Sequence, residues 1–133
     1  MLNNAEWIIA QLATAKIGVV LVCVNPSYRL HELEHALNLV KAKGIILQPS
    51  YSKSNYITLI NQLFPELSTE SSTFEKVPSL KHVIVCSDEK HKGMLRFKDV
   101  YASNDEQFLA KCAQKLFPNE PINIQVSFKF FLI

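Results

Sequence analysis

No stretch of this sequence is apolar for long enough to cross a bilayer. The longest such run, Val19 to Val24, falls far short of the about 20 residues a spanning helix needs. Net charge is nearly absent too. At +2, with 20 % charged residues, the chain offers no electrostatic footprint for nucleic acid and no basic run for a membrane surface. Lys90-His91-Lys92 reads as a solvated loop rather than a phosphate patch. Paired cysteine spacing is also missing. Cys23, Cys86 and Cys112 are odd in number, without a C-x-x-C spacing, which argues against a disulfide scaffold and for a reducing, intracellular compartment. Cys23 and Cys112 fall in apolar segments, where a thiol packs as a small hydrophobe. The opening Met1-Leu2-Asn3-Asn4 has neither a signal-peptide pattern nor an Arg-rich transit pattern, so if the protein is imported into an organelle its address is not in these residues.

What is present suffices for a domain: 133 residues, 48 % of them hydrophobic, can enclose one core. A helix is expected from about Ala5 to Ile17, with Asn3 as N-cap, Glu6 completing a capping box, and Gly18 in the left-handed position after the last turn. Trp7, Ile8, Ile9, Leu12, Ala13 and Ala15 cover most of its circumference, so burial on more than one side is expected. Val19 to Val24 is continuous rather than alternating, the pattern of a parallel strand covered on both faces, and Asn25-Pro26 stops it.

The same grammar then recurs. Leu30, Leu33, Ala36, Leu37 and Val40 predict a second helix closed by Gly44, followed by a short strand, Ile45-Ile46-Leu47, ended by Pro49. Tyr56, Ile57, Leu59, Ile60 and Leu63 predict a third helix halted at Pro65. The Ser-, Thr- and Glu-rich stretch from Pro65 to Ser79 reads as a loop; within it Glu66 to Glu75 reads as plain surface, with a phosphorylated or partner-binding segment as the alternative. His82 to Cys86 reads as a buried strand, Met94 to Tyr101 as a short helix. Phe108, Leu109, Cys112, Ala113 and Leu116 mark a last helix capped by Asn104 and ended by Pro118, and Ile122 to Val126 a final strand. Helices alternating with short apolar strands define an α/β layer around a mostly parallel sheet, without internal repeats.

The order of certain segments carries more. Asn3-Asn4-Ala5-Glu6-Trp7, then Gln11 to Gly18, Val24-Asn25-Pro26-Ser27-Tyr28 and Glu32-Leu33-Glu34 resemble acyl-CoA synthetases of the adenylate-forming, AMP-binding superfamily, most of all the medium-chain mitochondrial type. Lys43-Gly44, Phe64-Pro65-Glu66 and Pro121-Ile122-Asn123-Ile124-Gln125 extend the likeness from Asn3 to Gln125. The resemblance implies an ATP-dependent fatty acid–CoA ligase: carboxylate and ATP give acyl-AMP and pyrophosphate, then coenzyme A gives the thioester. ATP, magnesium and coenzyme A are thereby implied for the full-length enzyme, and the mitochondrial matrix for full-length relatives. In that family the Pro-Ile-Asn-Ile-Gln segment leads into a Ser/Thr/Gly-rich loop ending in Pro-Lys-Gly, which cradles the ATP phosphates.

Such a cradle needs glycines that let backbone N–H groups approach phosphate, and a lysine to offset charge. Residues Val126 to Ile133 supply one lysine, no glycine and several bulky apolar side chains. Residues 1–125 are therefore expected to be a partial AMP-binding domain, acting as scaffold below the site. Residues 126–133 are expected to be an aberrant apolar tail left by truncation, and an aggregation hazard unless paired. No catalytic, cofactor-binding or metal residue is assigned, and the chain alone is expected to be inactive. The alternative is a genuine short form, a non-catalytic interaction module associating with the full-length enzyme.

One literal motif competes. His31-Glu32-Leu33-Glu34-His35 matches H-E-x-x-H, in which two histidines one turn apart hold zinc and the glutamate acts as base. The apolar positions of that helix place His31 and His35 on the wet face, and Asn38 and Lys41 stand where an extended motif wants Gly and His. A solvated helix face is the expected reading, with adventitious metal binding ahead of hydrolysis.

Overall fold

The computed structural model describes residues 5–51, 54–69, 73–100 and 105–125. They form two compact units, one spanning Ser27–Ala102 and the other built from Met1–Pro26 together with Ser103–Ile133. The architecture is α/β, and among the described residues three of the four strand pairings are parallel.

In the unit built from two segments, α1 (Ala5–Lys16) precedes β1 (Leu21–Cys23), and α4 (Glu106–Ala113) precedes β7 (Asn123–Gln125). β1 and β7 pair in parallel, Leu21 opposite Asn123 and Cys23 opposite Gln125. The end of α1 follows the expected chemistry. Gly18 takes φ +75°, its N–H donates to the Ala15 carbonyl (3.3 Å), and the Val19 N–H donates to the Thr14 carbonyl (2.9 Å), a Schellman closure. The Asn3 N-cap lies outside the described residues. α4 is capped by Asp105, whose carboxylate accepts from the Phe108 N–H at 2.9 Å; Asn104, the expected cap, lies outside the described residues.

Burial here departs from expectation. α1 buries only Ala10, while Ile8 and Leu12 are more than half exposed. The strand is three residues long rather than six, half-buried, with Val19 and Val20 exposed. Among the described residues, a two-stranded ladder with α1 packed on β1 and on α4 has no second covering layer, so a run composed for two covered faces stays partly wet.

The continuous unit is better filled. It contains α2 (Leu30–Leu39), β2 (Gly44–Leu47), an antiparallel pair of short strands, β3 (Ser50–Tyr51) and β4 (Ser54–Asn55), then α3 (Tyr56–Leu63), β5 (His82–Val85) and β6 (Leu95–Arg96). β2, β5 and β6 form a parallel sheet in that order, with Gly44 opposite His82 and Ile84 opposite Leu95. Its core draws on Leu33, Ala36 and Leu37 of α2, Ile60 and Leu63 of α3, and Val83 and Val85 of β5. Phe64 is fully buried, its ring tilted on Phe74 with centroids 4.9 Å apart.

Four expectations are corrected in this unit. Gly44 does not close α2; it opens β2. Lys41 takes the left-handed conformation instead (φ 49°), with its N–H donating to the Asn38 carbonyl (3.1 Å) and the Ala42 N–H to the Leu37 carbonyl (2.9 Å). The stretch after Pro65 is not merely a surface loop. Pro65–Thr69 is a 3-10 helix, and Leu67, Phe74 and Val77 are buried, with the segment tied to α2 by the Asn38 side chain donating to the Lys76 carbonyl (2.8 Å). β5 alternates rather than being buried throughout: Val83 and Val85 point inward and His82 is exposed. Finally, Leu95–Arg96 adds to the sheet as β6 before a 3-10 turn, Phe97–Val100, where a helix was expected; Phe97 is its buried anchor.

Candidate functional site

The residues of the H-E-x-x-H motif are the natural starting point. His31 and His35 both lie on α2, one turn apart and exposed, while Leu33, Ala36 and Leu37 hold the opposite face in the core. Glu32 is already engaged. At the third position of the helix its Oε2 accepts from the Arg29 N–H at 2.6 Å, which satisfies a backbone donor left over at the helix start. A carboxylate spent on capping is poorly placed to act as a general base on metal-bound water. Among the described residues, no group of three or more His, Cys, Asp or Glu side chains gathers where a metal could sit.

A concavity of about 420 Å³, open to solvent, adjoins this helix start. The beginnings of α2 and α3 meet there: Arg29 and His31 come from one, Asn55, Thr58 and Leu59 from the other. Asn55 caps α3, its Oδ1 accepting from the Thr58 N–H at 3.0 Å. Sequence reasoning did not single out this concavity. Its one local signal was Asn55 placed three residues before Thr58 at a helix start, and caps of that kind occur without any ligand.

The segments that carry the family resemblance separate between the two units. Asn123, within Pro121 to Gln125, sits on β7, where its Nδ2 donates to Cys23 Sγ on β1 at 3.5 Å. This contact joins two family-like segments, the strand before Asn25-Pro26 and the strand of Pro121-Ile122-Asn123-Ile124-Gln125, through a sulfur acceptor. Cys23, Cys86 and Cys112 are half-buried, and none of them is in a disulfide. Residues 126–133, expected as an aberrant tail, lie outside the described residues.

The AMP-binding enzyme family matches residues 1–126, and the chain belongs to that family. The zebrafish (Danio rerio) protein named mitochondrial medium-chain acyl-CoA ligase ACSF2 is 34 % identical over 129 residues, covering 92 % of this chain and 21 % of the zebrafish protein. Its mouse (Mus musculus) counterpart of the same name is 36 % identical over 130 residues, with the same coverage of each chain. The chain thus spans about a fifth of the length of the curated relatives it matches.

Proposed function

We propose that this chain is a scaffold portion of an ATP-dependent fatty acid–CoA ligase and does not catalyse the reaction by itself. The family match over residues 1–126, together with relatives named for medium-chain acyl-CoA ligation, supports the ligase reading. The observation that carries the inactivity is chemical. Residues 126–133 contain no glycine and a single lysine, and a phosphate cradle needs backbone N–H groups that bulky side chains do not shield. In the complete enzyme the reaction would join a carboxylate to ATP, release pyrophosphate, and pass the acyl group to coenzyme A, with magnesium on the phosphates. The strands and helices described here would hold that site from below. The relatives are named as mitochondrial proteins, which supports the same compartment for the full-length protein.

The decisive assay incubates the purified chain with a medium-chain fatty acid, ATP, magnesium and coenzyme A, and follows thioester and pyrophosphate. Neither product is expected. Turnover above a no-protein control would overturn the proposal. A second reading, a non-catalytic module that associates with the full-length enzyme, is favoured by the exposed Ile8, Leu12, Val19 and Phe117. It requires that tagged chain co-purify with the full-length ligase, and that polar replacement of Leu12 and Phe117 abolish the association.

A further inference from the structure

We propose that His31 and His35 form a two-imidazole chelate for a borderline divalent cation, copper, nickel or zinc, on the exposed face of α2. The two residues are four apart on a continuous helix, a spacing that sets their Cβ atoms about 5–6 Å apart on one face. Leu33, Ala36 and Leu37 bury the opposite face, so the backbone holding the pair is fixed by packing before any metal arrives. Each imidazole has two ring nitrogens. One can ligate while the other keeps a different hydrogen bond, so the site does not need either ring to be otherwise idle.

The same observations limit what the site can be. Glu32 lies between the histidines but is held by the Arg29 N–H, and no third protein ligand gathers with them among the described residues. Water would fill the remaining positions, giving an open chelate rather than a closed structural site. Nitrogen ligands and an unconstrained geometry favour copper over nickel and zinc. Arg29, two residues before His31, repels a cation, and Glu32 and Glu34 on the same helix oppose that repulsion. The inference is independent of the ligase reading, since it involves no substrate and no acyl transfer.

The test titrates the full 133-residue chain with copper(II) chloride by calorimetry at neutral pH, alongside His31→Ala, His35→Ala and His91→Ala. One equivalent should bind the parent chain, and His91→Ala should leave the affinity unchanged. Losing either member of the pair should weaken binding by about tenfold to a hundredfold, because the second ligand no longer acts intramolecularly. Urea that melts the helix should lower the parent to the level of the single variants, since the pair is set by helical geometry. Copper should also raise the melting temperature of the parent and of His91→Ala, and not of the other two. Equal affinity in His31→Ala, or affinity that survives loss of the helix, would overturn the proposal.

Discussion

Of the fifteen buried hydrophobic residues described, fourteen fall between Leu33 and Phe97 and one, Ala10, in the unit that joins the two ends of the described chain. Large exposed hydrophobics show the reverse. Ten of thirteen, including Ile8, Leu12, Val20, Phe108, Phe117 and Ile124, belong to the unit with Ala10. Both units are written in similar residues: helices with apolar stripes, then short runs of Val, Ile and Leu. Layers make the difference. Among the described residues, the continuous unit has a three-stranded sheet, two α-helices and the buried Leu67, Phe74, Val77 and Leu80 filling one core. The described residues of the other supply two strands and two helices, so among them each apolar stripe finds cover on at most one side. Burial is a property of what stands opposite a residue, and hydropathy alone does not report it.

The largest expected effect tests that contrast directly. Truncating Phe64, fully buried against Phe74, removes a ring and leaves a cavity, with an expected cost of about 3–5 kcal/mol. Leu12→Ala, at a side chain 63 % exposed, should change stability by no more than about 0.5 kcal/mol. Urea denaturation of both variants checks the pair. Should the two prove alike, the unit containing Leu12 has cover that the described residues do not provide.

Two glycines sharpen the comparison. Gly93 sits at φ +71°, and a Cβ there would lie 2.5 Å from the Leu67 carbonyl oxygen and 2.9 Å from its Cα, so backbone would have to move. Gly18 sits at φ +75°, and its Cβ would meet the Leu116 Cδ2 at 2.6 Å, the tip of a side chain that can rotate away. Gly93→Ala should therefore cost about 3 kcal/mol, and Gly18→Ala about 1 kcal/mol from the left-handed backbone alone. Thermal melts monitored by circular dichroism would rank them, and a larger loss at Gly18 would break the ordering.

The elements legible in the sequence were those with a period and a chemical stop. α1 ends where Gly18 was expected to end it, and α3 runs from Tyr56 to Leu63 before Pro65. What escaped had neither. β3, β4 and β6 are two residues each, too short for alternation to register. Leu67, Phe74 and Val77 are buried at irregular spacing in a polar stretch, where no periodicity announces a core. Asp105, a good cap type beside the equally suitable Asn104, is recognised as the cap only by its bond to the Phe108 N–H. Of the candidate sites, the exposed His31 and His35 were readable from helical phase, whereas the concavity beside them depends on Ser54 and Gln62 being brought to the start of α2 by tertiary structure.

Lys41 supplies a smaller effect with the opposite sign. It holds φ 49° where most helices use glycine, a conformation that costs a side-chain-bearing residue about 1 kcal/mol. Lys41→Gly should stabilise the continuous unit by somewhat less than about 1 kcal/mol, because glycine also gains freedom in the unfolded chain. A lower denaturation midpoint would mean that the Lys41 side chain makes a compensating contact.

The smallest effect concerns the charges after β5. Arg96 grips Asp99 through two bonds, Nε to Oδ2 at 2.6 Å and Nη2 to Oδ1 at 2.9 Å, and Lys98 pairs with Asp88. The Lys98 hydrogen bond holds the Asp88 carboxyl below its ordinary range, and the Arg96 bond does the same for Asp99. A carboxylate with a depressed folded-state pKa contributes stability that is present above its unfolded pKa, about 3.9, and is lost as pH falls through the folded value. Both pairs are exposed, so water and salt screen them strongly. Between pH 7 and pH 3 the chain should lose slightly more melting temperature than the double variant Asp88→Asn, Asp99→Asn, and about 1 M salt should erase most of the difference. A difference that persists in salt would show that these pairs anchor β6 to its sheet rather than decorate its end.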